Sequence, residues 1–132
     1  MKIEIGYTEL GKKIHAVLKR DFDLFETVQA GEYEEAGSQF GFADDGNEYN
    51  ILGVIQYKIS DDVIIIEAVQ VLPAAQKQGI GTAFIEALRA EFPGKPIRAT
   101  NVTAKNALKW YKNRGFVKDR DSRWADDYVL LG

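Results

Sequence analysis

A β-branched run that ends on a proline and passes at once through glycines into a helix leaves few folds open. Asp62-Val-Ile-Ile-Ile-Glu67-Ala-Val-Gln-Val71 has the length of a strand and is apolar enough to be buried on both faces for part of its course. Pro73 removes a backbone donor and stops the ladder. Ile80, Ala83, Phe84, Ala87 and Leu88 then fall at i, i+3, i+4, i+7 and i+8, one face of an amphipathic helix that begins near Gly79 to Gly81.

The loop between them has the makings of an anion cradle. A helix start leaves backbone N–H groups without partners and carries partial positive charge, and glycines let a ligand's oxygens reach that backbone without meeting a Cβ. No Asp or Glu occurs between Glu67 and Glu86, and Lys77 sits in the loop, so the first helical turn lacks the acidic residues that normally complement it. The glycines alone fit a plain strand-to-helix connection equally well. A dinucleotide-binding G-x-G-x-x-G would need a third glycine where Phe84 stands, and no G-x-x-x-x-G-K-[ST] phosphate loop occurs anywhere in the chain.

The rest of the chain supplies a sheet for this unit. Lys2-Ile3-Glu4-Ile5 alternates as a short strand, and Thr8 can cap a helix whose stripe is Leu10, Ile14, Val17, Leu18 and, further on, Phe22 and Phe25. His15 falls beside that stripe and reads as structural rather than catalytic. Residues 21–37 are compatible with a second short helix or an ordered loop. Gln39 to Ala43, the Asp44-Asp-Gly-Asn47 turn and Tyr49 to Ile59 form a hairpin that continues through Ser60-Asp61-Asp62 into the long strand, an antiparallel meander. After the Ile80 helix, Phe92-Pro-Gly-Lys-Pro96 leads to a strand from Ile97 to Val102 that can lie parallel to the Val63 to Val71 strand. A helix carrying Ala104, Ala107, Leu108 and Tyr111 ends at Gly115, and Phe116-Val117 with Tyr128 to Leu131 closes the chain as a hairpin around a polar Asp119 to Asp127 connection.

Composition narrows the chemistry. A chain of 132 residues, 45% hydrophobic and without linker or repeat, suits one domain over residues 1–132. The absence of cysteine excludes disulfides, thiolate metal sites and a cysteine nucleophile, and a single histidine excludes His-rich ligation within one subunit, so no metal is expected. Lys2, Glu4 and Gly6 interrupt any apolar N-terminal run, which gives the expectation of a cytoplasmic protein away from the membrane. A net charge of −3 argues against a nucleic-acid binder. From Asp21 to Tyr57 there are many carboxylates, among them Glu32, Glu34 and Glu35, and not one Lys or Arg. That block is either a solvated surface or a field that attracts a cationic substrate.

Strand, proline and Gln76-Lys77-Gln78-Gly79-Ile80-Gly81 running into a helix resemble the Gcn5-related N-acetyltransferase (GNAT) superfamily, whose pyrophosphate loop follows [Arg/Gln]-x-x-Gly-x-[Gly/Ala]. Ala107-Leu-Lys-Trp-Tyr111-Lys-Asn-Arg-Gly115-Phe116 resembles the same family's closing helix. The resemblance covers nearly the whole chain. It implies an α/β (α+β) fold with a central, mixed, mostly antiparallel twisted sheet of six to seven strands, three to four flanking helices and a splayed parallel pair at the CoA site. It departs from the family at Ala104, where an Asn is common and Asn101 and Asn106 lie nearby, and at Lys77, where a further glycine is common.

The resemblance implies an N-acetyltransferase, with acetyl-CoA as cosubstrate and direct attack by a primary amine through a tetrahedral intermediate. Gln76, Lys77, Gln78, Gly79, Gly81 and Thr82 would hold the pyrophosphate, with the pantetheine arm between Val69 to Val71 and Asn101, near Asn106. The Val71 N–H would polarise the carbonyl. Tyr111 is the candidate acid by motif. Glu67 is the candidate base, acting through a water, on the face of Val69 and Val71 by the period-two rule, and either buried with a partner or at a sheet edge. The acceptor would be cationic: a small polyamine-like or amino-sugar amine, or a protein lysine or N-terminus. A homodimer is compatible with such a fold. A catalytically silent CoA-binding or protein-interaction module is the competing reading.

Overall fold

The computed structural model describes residues 1–8, 12–22, 38–47, 50–100, 102–103, 105–120 and 127–131. Its strands are β1 (Lys2–Tyr7), β2 (Gln39–Asp44), β3 (Ile51–Ser60), β4 (Val63–Val71), β5 (Ile97–Ala99), β6 (Val117–Lys118) and β7 (Tyr128–Leu130). Its helices are α1 (Lys12–Asp21), α2 (Ile80–Glu91) and α3 (Lys105–Asn113). The seven strands form one sheet in the order β1-β2-β3-β4-β5-β7-β6. Every pairing is antiparallel except that of β4 with β5, which the α2 crossover makes parallel. Among the described residues, no helix is long and apolar enough to cross a membrane.

Two hydrophobic layers fix this sheet. Val17 and Leu18 of α1, with Phe22 just after it, pack with Phe40, Phe42, Ile51 and Val54 on one face. Ile80, Phe84, Ile85 and Leu88 of α2 pack with Ile55, Tyr57, Ile64 and Ile66 on the other. Val54 on one side and Ile55 on the other show the alternation that a strand covered on both faces must carry. Phe84 and Leu88 are fully buried, each worth roughly 1.5–3 kcal/mol in surface removed from water. The helical stripe read from the sequence is thus the face that α2 buries. Within the C-terminal hairpin, the buried Asp119 accepts a hydrogen bond from Arg98 Nε of β5 at 2.7 Å, while its N–H donates to Asp127 O at 2.9 Å.

One interruption of β4 matters for function. Ile55 pairs with Val69 and Gln56 with Ala68, but Tyr57 pairs with Ile66, so Glu67 is the extra residue of a β-bulge. The bulge resets the alternation: Ile64, Ile66, Val69 and Val71 lie opposite Ile59, Tyr57, Ile55 and Gly53, all on the α2 face. The period-two expectation that Glu67 shares a face with Val69 and Val71 is therefore corrected. Glu67 is not buried: it is exposed just past Ile66, the last β4 residue that pairs with β5, where that edge of the strand opens.

Tyr57 gives the core a pH signature. Burial is the main cause that pushes its hydroxyl up to about 12, against a smaller opposing effect of the Gly6 backbone. In the unfolded chain a tyrosine ionises near pH 10. The folded state therefore holds the proton more tightly, and the associated stability is full below about pH 10 and lost as the pH rises toward about 12. Urea midpoints measured between pH 9 and pH 12 should fall less steeply for Tyr57→Phe than for the parent protein; parallel curves would contradict this origin.

Candidate functional site

The bulge at Glu67 coincides with the point where β5 leaves β4. The last parallel pair is Ile66 with Ala99, whereas the sequence pattern had suggested a strand as far as Val102. A bulge bends its strand and increases the local twist, which carries the second half of β4 away from β5. Leu72 N donates to Leu52 O at 2.9 Å, which makes Leu52–Leu72 a bonded pair. By the antiparallel alternation, Gly53–Val71 and Ile55–Val69 are then non-bonded pairs, and the N–H and C=O groups of Val69 and Val71 point away from β3 into the gap that β5 has vacated.

That gap opens into a cavity of about 560 Å³ between the end of β4, the start of α2 and one side of α3. Val69, Val71, Gln76, Lys77, Gly79, Gly81, Asn106 and Tyr111 line it, as the sequence reading had grouped them. Gln78 and Thr82 do not, although Thr82 Oγ1 accepts a hydrogen bond from the lining residue Arg114. Asn101, Ala104 and the acidic residues Asp23, Glu26, Glu32, Glu34 and Glu35 lie outside the described residues, as does the side chain of His15.

The strand-to-helix loop has the geometry of a cradle. Pro73–Ala75 makes one 3-10 turn, and the chain then reaches Gly79, whose left-handed φ of 76° suits glycine and which caps α2 with no side-chain hydrogen bond. The first N–H of α2 to find a backbone acceptor is that of Ala83, donating to Gly79 O at 2.9 Å. The N–H groups from Lys77 to Thr82 have no acceptor among the described residues, and no acidic residue stands in the first turn. A run of free donors at a positive helix end suits an anionic group bearing several oxygens. Lys77 itself lies in the left-handed region at φ 70°, so the backbone keeps the conformation that a glycine would adopt without strain.

Gly81 is glycine for a different reason from the expected one. A Cβ there would lie 2.5 Å from the indole of Trp110, so the missing side chain makes room first for α3 and not for the ligand alone.

Tyr111 is held by aromatic edges, with ring centroids 5.0 Å from both Trp110 and Phe116. Burial raises its pKa, and its hydroxyl has no hydrogen-bond partner among the described residues. A phenol kept protonated and unengaged inside a cavity is equipped to donate. Glu67 has a different setting: its Oε1 accepts from Ser38 Oγ at 2.6 Å, and Ser38 Oγ in turn accepts from Gln56 Nε2 at 3.3 Å. Ser38 is buried, so the exposed carboxylate is fixed from below on the Gln56 side of the sheet, away from the cavity lining.

Ala75, Ile80, Ala107, Trp110 and Arg114 also line the cavity, though the sequence does not mark them as site residues, and two of them carry polar or charged groups. Ala107, Trp110 and Tyr111 form one side of α3 facing the cavity, and Arg114, in the turn just after the helix, continues their i, i+3, i+4, i+7 spacing. No residue of α3 is fully buried, which distinguishes this stripe from a core face. The signal was in the spacing, but Leu108 drew the assignment toward packing.

A model of the acetyltransferase (GNAT) domain matches residues 36–118. No curated protein sequence matches the chain. Among solved structures, the chain resembles YhhK from E. coli, an N-acetyl transferase candidate bound to coenzyme A, with a TM-score of 0.75 at 12% identity and full coverage of both chains. It also resembles a GNAT-family acetyltransferase candidate from Desulfovibrio desulfuricans, with a TM-score of 0.67 at 17% identity, covering 98% of this chain and 99% of that one. The AtaT-AtaR complex bound to DNA is similar at a TM-score of 0.71 and 13% identity, over 99% of this chain and 94% of that one. At such identities the likeness is one of fold.

Proposed function

The chain belongs to the GNAT acetyltransferase family, and on that premise we propose that it transfers an acetyl group from acetyl-CoA to a cationic primary amine. The observation that carries this reading is the junction in one cavity of three things: the free N–H groups of Lys77, Gly79, Ile80 and Gly81, the outward backbone groups of Val69 and Val71, and Tyr111. The fit to acetyl-CoA is good on chemical grounds, because the donors suit its pyrophosphate and an open strand edge suits the amides of its pantetheine arm.

Each residue then has a task. Residues 76–82 bind the pyrophosphate, chiefly by backbone N–H groups. Val69 and Val71 align the arm as a further strand would, and the Val71 N–H withdraws charge from the thioester carbonyl as an oxyanion donor does. An alkylammonium ionises near pH 10, so a base must take its proton before attack; Glu67, steadied by Ser38 on the face opposite the cavity, would do this through water for an amine that enters by the gap past Ile66. Tyr111 gives its proton to the departing sulfur.

Support for a cationic acceptor comes from the sequence, in the carboxylates between Asp21 and Glu48 unrelieved by any Lys or Arg. We place a small polyamine-like or amino-sugar amine ahead of a protein lysine or N-terminus. The likeness to a DNA-bound complex is one of fold and brings neither DNA nor an antitoxin to this chain. Its net charge of −3 supports a function without nucleic acid. Changing Glu32, Glu34 and Glu35 together to Gln should raise KM for a diamine by about tenfold or more, with acetyl-CoA affinity unchanged. An unaltered KM would remove the acidic run from acceptor binding.

A further inference from the structure

We propose that Arg114, seated on the Trp110 indole, pairs with the pyrophosphate of the acyl-CoA and supplies the side-chain charge of the cradle, a role the sequence had suggested for Lys77. The inference rests on the acetyl-CoA reading above and adds a specific contact to it.

Arg114 is pre-organised where Lys77 is not. Its Nε donates to Thr82 Oγ1 at 2.8 Å, its Nη1 donates to Trp110 O at 3.0 Å, and its guanidinium carbon lies 3.8 Å from the indole centroid. Those contacts hold the planar fork in one orientation and leave both N–H groups of Nη2 and one of Nη1 unassigned. The ordering cost that a long side chain pays on binding is thus largely met in advance. Lys77, on an exposed loop, would have to pay it.

Charge argues the same way. Among the described residues no carboxylate lies within salt-bridge distance of Arg114, whereas Arg98 and Arg20 each have one. Partial burial lowers the Arg114 pKa, the direction expected of a cation drawn from water without a compensating anion. The guanidinium also stands against Thr82, in the first turn of α2 whose donors are free, so two positive features face the same space. An anion held by the N–H groups there is within reach of the unassigned guanidinium N–H groups, and a pyrophosphate oxygen pair matches a fork better than a point charge.

Calorimetry on the full chain distinguishes this from other roles, with CoA and dephospho-CoA, which lacks the 3′-phosphate, as probes. Arg114→Gln is expected to weaken both by about 10- to 100-fold, the loss of one or two charge-assisted hydrogen bonds. Arg114→Lys should weaken both by less, because it keeps the charge and loses the fork. Thermal melts of both variants identify any that fail to fold, and the ratio of the two ligands within a folded variant remains readable. A loss confined to CoA would assign Arg114 to the 3′-phosphate and overturn the proposal. So would equal affinity of Arg114→Gln and the parent, which would leave the residue as packing for Trp110. If the parent protein binds neither probe, the acetyl-CoA reading itself fails; binding by the parent with no effect of Arg114→Gln isolates the failure to this residue.

Discussion

Tyr111→Phe is expected to lower the turnover of acetyl-CoA by about 10²- to 10⁴-fold, the range typical of a positioned proton donor, while leaving acetyl-CoA affinity unchanged. The substitution is clean because nothing that holds the ring in place involves the hydroxyl: Trp110 and Phe116 contact it by their edges, and phenylalanine keeps both. Burial raises the Tyr111 pKa, so the phenol remains protonated through neutrality and past its ordinary value of 10. A tyrosine acid needs that protonated form. The alkaline fall in turnover that belongs to Tyr111 should therefore lie above pH 10, and a limb assigned to it well below pH 10 would contradict the burial argument. An unchanged kcat for Tyr111→Phe would take the residue out of the acid role.

Gly81→Val should cost acetyl-CoA affinity roughly 10- to 100-fold. The first atom of any side chain at this position would sit 2.5 Å from the Trp110 ring, a contact that real structures do not tolerate. Either the start of α2 or Trp110 must shift, and overpacking of this kind typically costs about 1–3 kcal/mol. Both ways out damage the site. A moved helix start misplaces the free N–H groups, and a moved indole takes the stacked Arg114 guanidinium with it. Equilibrium binding by calorimetry reads the effect, with a thermal melt to separate lost affinity from lost fold. Unaltered affinity in a folded Gly81→Val protein would mean that the cradle is not where the anion binds.

What the sequence made legible was mostly local. The α2 stripe, the stop at Pro73 and the parallel crossover depend on residues close together in the chain, and their spacing alone dictates the outcome. The bulge at Glu67 was hidden because Ile64, Ile65 and Ile66 are apolar on both faces, so the strand carries no alternation from which a break could be read. Once the bulge is present, the face of Glu67 and the early end of β5 follow together. Lys77 shows a second limit, since a left-handed backbone can be kept by a residue other than glycine. Trp110 and Arg114 show a third. Their role depends on a contact with Gly81 and Thr82 about thirty residues earlier in the chain, and a helix face turned to a cavity looks in sequence like one turned to a core.

The most direct measurement is release of free thiol from acetyl-CoA in the presence of polyamines, amino sugars and lysine-bearing peptides, with the acetylated amine identified by mass. The expected result is release that depends on one class of cationic amine and matches the amount of acetylated product. Binding of CoA without stimulated release by any of these amines would contradict amine acetylation and leave a CoA-binding module on the same fold.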